Sequence, residues 1–271
     1  MSASIHKLII MFLVSLLAHA PAYAGSRQYS GESIYSAEQV AKFSKRVEKY
    51  AGSKGARAFI IARLGTPQSE LPDQVQFTHV GLAIYSRIKT ADGNQIYGYA
   101  INNLYQNPNA LDQSALFMDY PIDFFAGAQE LKAGIIIPKP ILQKKLIAAI
   151  ESGVNQSLHN SNYSMVSNPY SQNYQNCTEH ILDIIFSSIY DTESMVQIKA
   201  NENAYFRAQA IELAPIERLF APLVRKDIKM TDHSDSIETA TFTTISQFLR
   251  SYGLADGYTV ITEHGKQVYR R

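Results

Sequence analysis

The chain of 271 residues holds one cysteine, Cys177, in the segment Tyr174-Gln175-Asn176-Cys177-Thr178-Glu179-His180, where a helix is expected to begin. A cysteine in that place can act as a nucleophile. Asn176 is a favourable N-cap, and Glu179 stands three positions later, the spacing from which a side chain reaches back to the cap amide. Cys177 is then the first helical residue. Its unpaired N–H groups and the positive end of the helix dipole favour a thiolate, which should bring the thiol pKa below about 8.5.

The natural partner for such a thiol is a histidine, and the segment Phe77-Thr78-His79-Val80-Gly81-Leu82-Ala83-Ile84-Tyr85 offers one on an expected strand. Side chains alternate along a strand, so His79 shares its face with Gly81 and Ala83, while Val80, Leu82 and Ile84 line the other. If the cysteine helix packs on the emptied face, His79 can take the thiol proton and return it to a leaving group. None of His159, His180, His233 and His264 has this setting. A two-residue turn at Asp92-Gly93 would pair Ala83 with Asn102 and put Asn102 on the His79 side, with Gln106 as the alternative and Asn103 pointing away. Asn102 would accept the Nδ1 proton and leave Nε2 for the thiol.

Stepping outward, Ser36 to Ala51 has a capping-box opening and helical spacing at Val40, Phe43, Val47 and Tyr50. Ala58 to Ala62, Phe77 to Tyr85, Gln95 to Leu104 and Gly134 to Pro138 suit strands, the middle two forming a hairpin. Pro140 opens a helix to Glu151, the cysteine helix spans Cys177 to Tyr190, Ile245 to Tyr252 looks helical and Tyr258 to Ile261 extended, whereas periodicity assigns nothing from Ala204 to Val224. Helices and antiparallel strands together give an α+β class, with the sheet packed on the cysteine helix.

Leu8 to Leu17 is a short apolar run behind Lys7, and Ala22-Tyr23-Ala24 closes it with small residues, so residues 1–24 read as a signal peptide and Gly25 as the first mature residue. The run is too short to span a bilayer comfortably, and no later stretch is long enough. The mature chain, 25–271, suffices for one domain and is formally neutral, which gives no electrostatic case for nucleic acid. A lone thiol carried into an oxidising periplasmic or secreted setting calls for a chemical explanation. No paired metal-ligand spacing and no phosphate loop occur, so neither metal nor cofactor is expected. Tyr163, Tyr170 and Tyr174 alternate with amides just before Asn176 and Cys177, a composition that suits sugar rings or peptide backbones, such as peptidoglycan fragments.

The run His79-Val80-Gly81-Leu82-Ala83-Ile84-Tyr85, followed along the chain by Asn176-Cys177, resembles the circularly permuted branch of the papain-like NlpC-type cysteine hydrolases, to which lecithin retinol acyltransferase-like proteins also belong. More closely, the leader, the Thr78-His79-Val80-Gly81 segment, Tyr163 to Tyr170, Tyr174 to Asn176, Asp232-His233 and Thr244 to Leu249 resemble the uncharacterised bacterial family called domain of unknown function 2145. The resemblance covers nearly the whole mature chain. It implies an exported bacterial protein of papain-like fold and carries no established substrate. The resulting expectation is a thiol hydrolase or acyltransferase acting on a peptide, glycan or acyl substrate, with a non-catalytic binding or envelope-interaction protein as the competing class.

Overall fold

The computed structural model describes residues 34–71, 75–90, 92–211, 226–234 and 236–269. The expected leader and the mature start at Gly25 lie outside the described residues, as do residues 212–224 of the unassigned stretch. Ser36 caps the first helix as its sequence requires. Its hydroxyl accepts from the Gln39 N–H, the Gln39 side chain takes the Ser36 N–H, and α1 (Ala37–Ser53) buries Val40, Phe43 and Val47.

Seven strands form one antiparallel sheet. At its centre β1 (Ala58–Leu64), buried along its whole length, lies between β2 (His79–Lys89) and β5 (Glu130–Ile136). Beyond β2 come β3 (Gln95–Asn107) and β4 (Ala110–Asp119). Beyond β5 come β8 (Tyr258–Thr262) and β9 (Gly265–Tyr269), while β6 (Gln209–Ile211) and β7 (Ile237–Thr239) make a separate ribbon. The remaining helices are α2 (Pro121–Ala126), α3 (Pro140–Glu151), α4 (Val154–Ser157), α5 (Cys177–Tyr190), α6 (Met195–Tyr205) and α7 (Phe242–Ser251). The α+β class holds. Among the described residues no helix is long and apolar enough to cross a membrane.

Alternation divides the sheet residues between two cores. Phe59, Ile61, Ala83 and Ile101 pack with α1 and α2, whereas Ile60, Val80, Leu82 and Ile84 pack with residues of α3, α5 and α7. His79 belongs to the first side, since its ring lies 5.5 Å from that of Phe124 in α2. Helix α5 thus packs on the Val80–Leu82–Ile84 face and not, as expected, on the face of His79, Gly81 and Ala83. The reason is area: α5 is buried from Cys177 to Ser188, and its Ile181, Leu182, Ile184, Ile185 and Phe186 need bulky aliphatic neighbours, not an emptied surface.

The β2–β3 register also departs from expectation. Leu82 pairs with Asn102 and Lys89 with Gln95, so residues 90–94 form the connection, closed by the Thr90 N–H donating to Asn94 O. An odd-length connection in place of the two-residue turn at Asp92-Gly93 shifts the pairing by one, and a one-residue shift exchanges faces. Asn102 lies on the α5 side of the sheet, and Asn103 shares the side of His79.

Helix α5 is pinned on its far side by buried charge. Lys199 of α6 lies 2.7 Å from Glu179, 2.6 Å from Asp183 and 3.1 Å from Glu202, all four side chains being at most 5 % exposed. Burial pulls the lysine's pKa down, but the three carboxylates overcome it and hold Lys199 well above its ordinary value. Burial, only partly offset by Lys199, raises Glu179 to about 8. Removing the cation leaves uncompensated buried carboxylates, so Lys199→Met should cost about 3–5 kcal/mol in urea unfolding at pH 8. For Glu179 the folded state favours the protonated form. Its contribution is full below its ordinary value of 4.5 and fades as the pH rises through about 8. Relative to Glu179→Gln, the wild-type protein should lose stability across that window, and parallel stability–pH curves for the two proteins would contradict the assignment.

Candidate active site

Beyond the Leu82–Asn102 pair, β2 and β3 part. Residues 79–81 of β2 stay paired to β1 and residues 103–107 of β3 to β4, but no rungs join the two segments to each other. The N-terminus of α5 meets the sheet at this opening. The Asn176 side-chain oxygen accepts from the N–H groups of Thr178 and Glu179 at 3.0 and 2.9 Å, which fixes the first turn and does not occupy the Cys177 N–H. Its amide nitrogen is tied to Met165 O and Thr239 Oγ1. The expected reach of Glu179 back to the cap does not occur, because Glu179 is taken by Lys199.

Cys177 Sγ sits 4.0 Å from Thr78 O, 3.9 Å from Thr178 Oγ1, and receives the Val80 N–H. The thiol therefore lies against the backbone on both sides of His79. Asn103 Oδ1 lies 3.2 Å from His79 Nε2, and Asn103 Nδ2 donates to Ile101 O at 2.9 Å and Asp119 Oδ2 at 3.2 Å. With both amide protons directed there, Oδ1 must face the ring, so His79 carries its proton on Nε2. Nδ1 is buried and has no hydrogen-bond partner. This reverses the expected tautomer. The asparagine bonded to His79 is Asn103, not Asn102, whose Nδ2 donates to Leu82 O at 3.4 Å. Gln106 donates to Leu111 O instead.

Two further groups hold the ring. Tyr105 stacks on it with centroids 4.5 Å apart and planes at 13°, and the Tyr105 hydroxyl donates to Asp119 Oδ2 at 2.6 Å. Asp119 thus grips both the amide bonded to His79 and the ring stacked on it. Gly81 makes this approach possible, because a Cβ there would stand 2.5 Å from Asn103 Oδ1. Arg63, paired with His79 across β1 and β2 and only 1 % exposed, donates to Gly127 O at 3.0 Å and lies over the Phe124 ring.

Burial, then the Arg63 charge, pushes His79 well below its ordinary value, against the Asn103 bond. Burial also pushes the Cys177 thiol up, against the Val80 N–H, Thr178 and Arg63. Burial outweighs these contacts and favours a thiol beside a neutral imidazole over the expected thiolate.

Cys177 opens on a cavity of about 510 Å³ lined by, among others, Arg63, Phe77, Tyr163, Val166, Asn176 and Ile228. Tyr163 and Asn176 are among its lining residues. Tyr170 does not line the cavity: its hydroxyl accepts from the Ala208 N–H, and its ring packs against the core. Tyr174 bonds Thr231 and borders a second cavity, of about 330 Å³, beside Glu179 and Lys199. Among the described residues no group of three or more His, Cys, Asp or Glu side chains is placed to hold a metal ion.

The family model described as an uncharacterized protein conserved in bacteria (DUF2145) matches residues 50–249. The chain belongs to the DUF2145 family. No curated protein and no solved structure matches the chain. The match runs from the end of α1 to α7 and so takes in each DUF2145 residue named above around the thiol.

Sequence reasoning missed Asn103 through the turn length, and missed Asp119 because β4 carries no clean alternation. Arg63 could have been found: an arginine ending the apolar run Ala58-Phe59-Ile60-Ile61-Ala62 is a buried charge if the strand continues. Alkylation of Cys177 by iodoacetamide, followed against pH, should give a midpoint above the ordinary thiol value of 9.0. A midpoint below that of the urea-unfolded protein would show that the helix terminus and Arg63 overcome burial after all.

Proposed function

We propose that this DUF2145 protein is an exported thiol hydrolase or acyltransferase, built on the permuted papain-like plan that its His79 and Cys177 segments resemble, with Cys177 as nucleophile and His79 as acid–base. The observation that carries this reading is the Asn103–His79 bond. It leaves the basic nitrogen of a buried imidazole without a partner while a helix-terminal thiol lies on the adjacent backbone.

In this mechanism His79 Nδ1 takes the thiol proton as Sγ forms a bond to an ester or amide carbonyl carbon. The carbonyl oxygen becomes an oxyanion, held by the Cys177 N–H and the positive end of α5. Collapse breaks the bond to the alcohol or amine, which leaves with the proton from His79. Water, or an acceptor alcohol or amine, then attacks the thioester while His79 removes its proton, and the thiol is regenerated. Because the resting pair is neutral, proton transfer accompanies attack, and the orientation of Nδ1 governs the rate. Asn103, Asp119 and Tyr105 act on that orientation and touch no substrate.

A specific observation favours a second reading, a non-catalytic envelope-binding protein. No hydrogen bond joins Cys177 to His79, and burial keeps the thiol protonated. Turnover separates the two. With p-nitrophenyl acetate and peptidoglycan-derived peptides as substrates, Cys177→Ala should abolish product formation and His79→Ala should lower kcat by about 10²–10⁴-fold. Asn103→Ala should fall between His79→Ala and Asn102→Ala. Product masses that do not depend on Cys177, or equal activity of the Asn102 and Asn103 variants, would defeat the assignment.

A further inference from the structure

The cavity beside Cys177 has a chemical character that the expected sugar- or peptide-binding loop does not. Its aliphatic and aromatic wall comes from Leu71, Val75, Phe77, Val166, Ile211 and Ile228, and no carboxylate borders it among the described residues. Arg63 is the one charged side chain among those described residues, and it is already bonded to Gly127 O.

Most of the polar side chains on the wall are bonded within the protein, although Arg63 Nε is buried without a partner. Thr78 Oγ1 accepts from the Gly65 N–H at 2.7 Å, and Thr241 is bound to Thr244 at the start of α7. Asn176 serves α5, Thr239 and Met165, and Gln106 Nε2 donates to Leu111 O. A sugar or a peptide backbone entering here would lose water and find few free partners, which is costly, whereas a hydrocarbon chain loses nothing by desolvation. The volume of about 510 Å³ lies within the range of small-ligand sites.

We infer that the group held beside Cys177 is an uncharged aliphatic acyl chain, and that the acyl carbon attacked is its carbonyl. This rests on the hydrolase reading and names its substrate class. In the step proposed, Sγ bonds to the acyl carbon, the ester C–O bond breaks, the alcohol leaves with the His79 proton, and water releases the carboxylic acid. The chain lies along the apolar wall throughout. An ammonium on its far end is disfavoured both by that wall and by Arg63.

The test compares p-nitrophenyl esters from acetate to decanoate, together with the hexanoyl ester and its 6-aminohexanoyl counterpart, on the wild-type protein and on Cys177→Ala. Decanoate binding to Cys177→Ala is measured by titration calorimetry. Cys177-dependent kcat/KM should rise about fourfold for each added methylene until the cavity is full. The aminohexanoyl ester should react at least tenfold more slowly than the hexanoyl ester. Val166→Phe should bring the plateau to a shorter chain. Cys177-dependent cleavage that is flat with chain length, or equal for the two six-carbon esters, overturns the acyl-chain inference and leaves the hydrolase reading standing. Binding of decanoate without Cys177-dependent cleavage of any ester overturns the hydrolase reading and keeps the aliphatic ligand. If neither cleavage nor binding occurs, both fall.

Discussion

The parting of β2 from β3 beyond the Leu82–Asn102 pair is the constraint on which the rest of the site depends. A backbone N–H and C=O left without partners in a protein interior cost about 1–3 kcal/mol for each group. The structure meets that requirement at Val80 by bringing the first side chain of α5 to its N–H. On the opposite side of the sheet, the Asn103 side chain crosses to His79 and joins the two strands where the rungs do not. One opening therefore explains why thiol and imidazole, which come from helices and strands packed on opposite faces, meet at the short stretch from Thr78 to Val80.

Holding a helix N-terminus in such an opening requires that the helix neither slide nor rotate. Apolar packing of α5 resists sliding but is not directional. Direction comes from the polar contacts at its first turns: the Asn176 cap tied to Met165 and Thr239, and the Glu179 and Asp183 carboxylates gripped by Lys199. Gln175 adds a bond of 2.6 Å to Asp183. Glu179, which in an isolated helix would turn back to its own cap, is better used here in a buried hydrogen bond from Lys199 that links α5 to α6. The charge buried on one side of α5 thus fixes the neutral thiol on the other.

How far the sequence reveals this depends on the range of the forces involved. Local signals are legible: the Ser36–Gln39 box, Pro140 at a helix start, and Asn176-Cys177 opening a helix that ends at Tyr190 all stand in the structure. The strand identity of His79 and the need for a small residue at Gly81 are legible too, since alternation alone exposes them. Pairing register is not, because it turns on whether residues 90–94 make a tight turn or a longer connection, and both contain the same Asp92-Gly93 pair. That one residue decides between Asn102 and Asn103. The tyrosines mislead for a different reason: an aromatic ring with a hydroxyl suits a cleft and a core boundary equally, and Tyr170 took the second.

Electrostatics supplies the last step. A buried arginine beside a cysteine and a histidine does not act on them alike: Arg63 favours the thiolate and disfavours the imidazolium, so it cannot stabilise the ion pair as a whole. What it can do is keep His79 basic only when charge has moved elsewhere. If the proposed oxyanion formed near Arg63 and the α5 terminus, the field at the imidazole would become less positive, and Nδ1 could then hold a proton that burial and Arg63 disfavour at rest. In the proposed mechanism, proton transfer would thereby be coupled to the arrival of a carbonyl. On that proposal, a thiol that burial keeps protonated would be less open to oxidation until a substrate carbonyl lay against it.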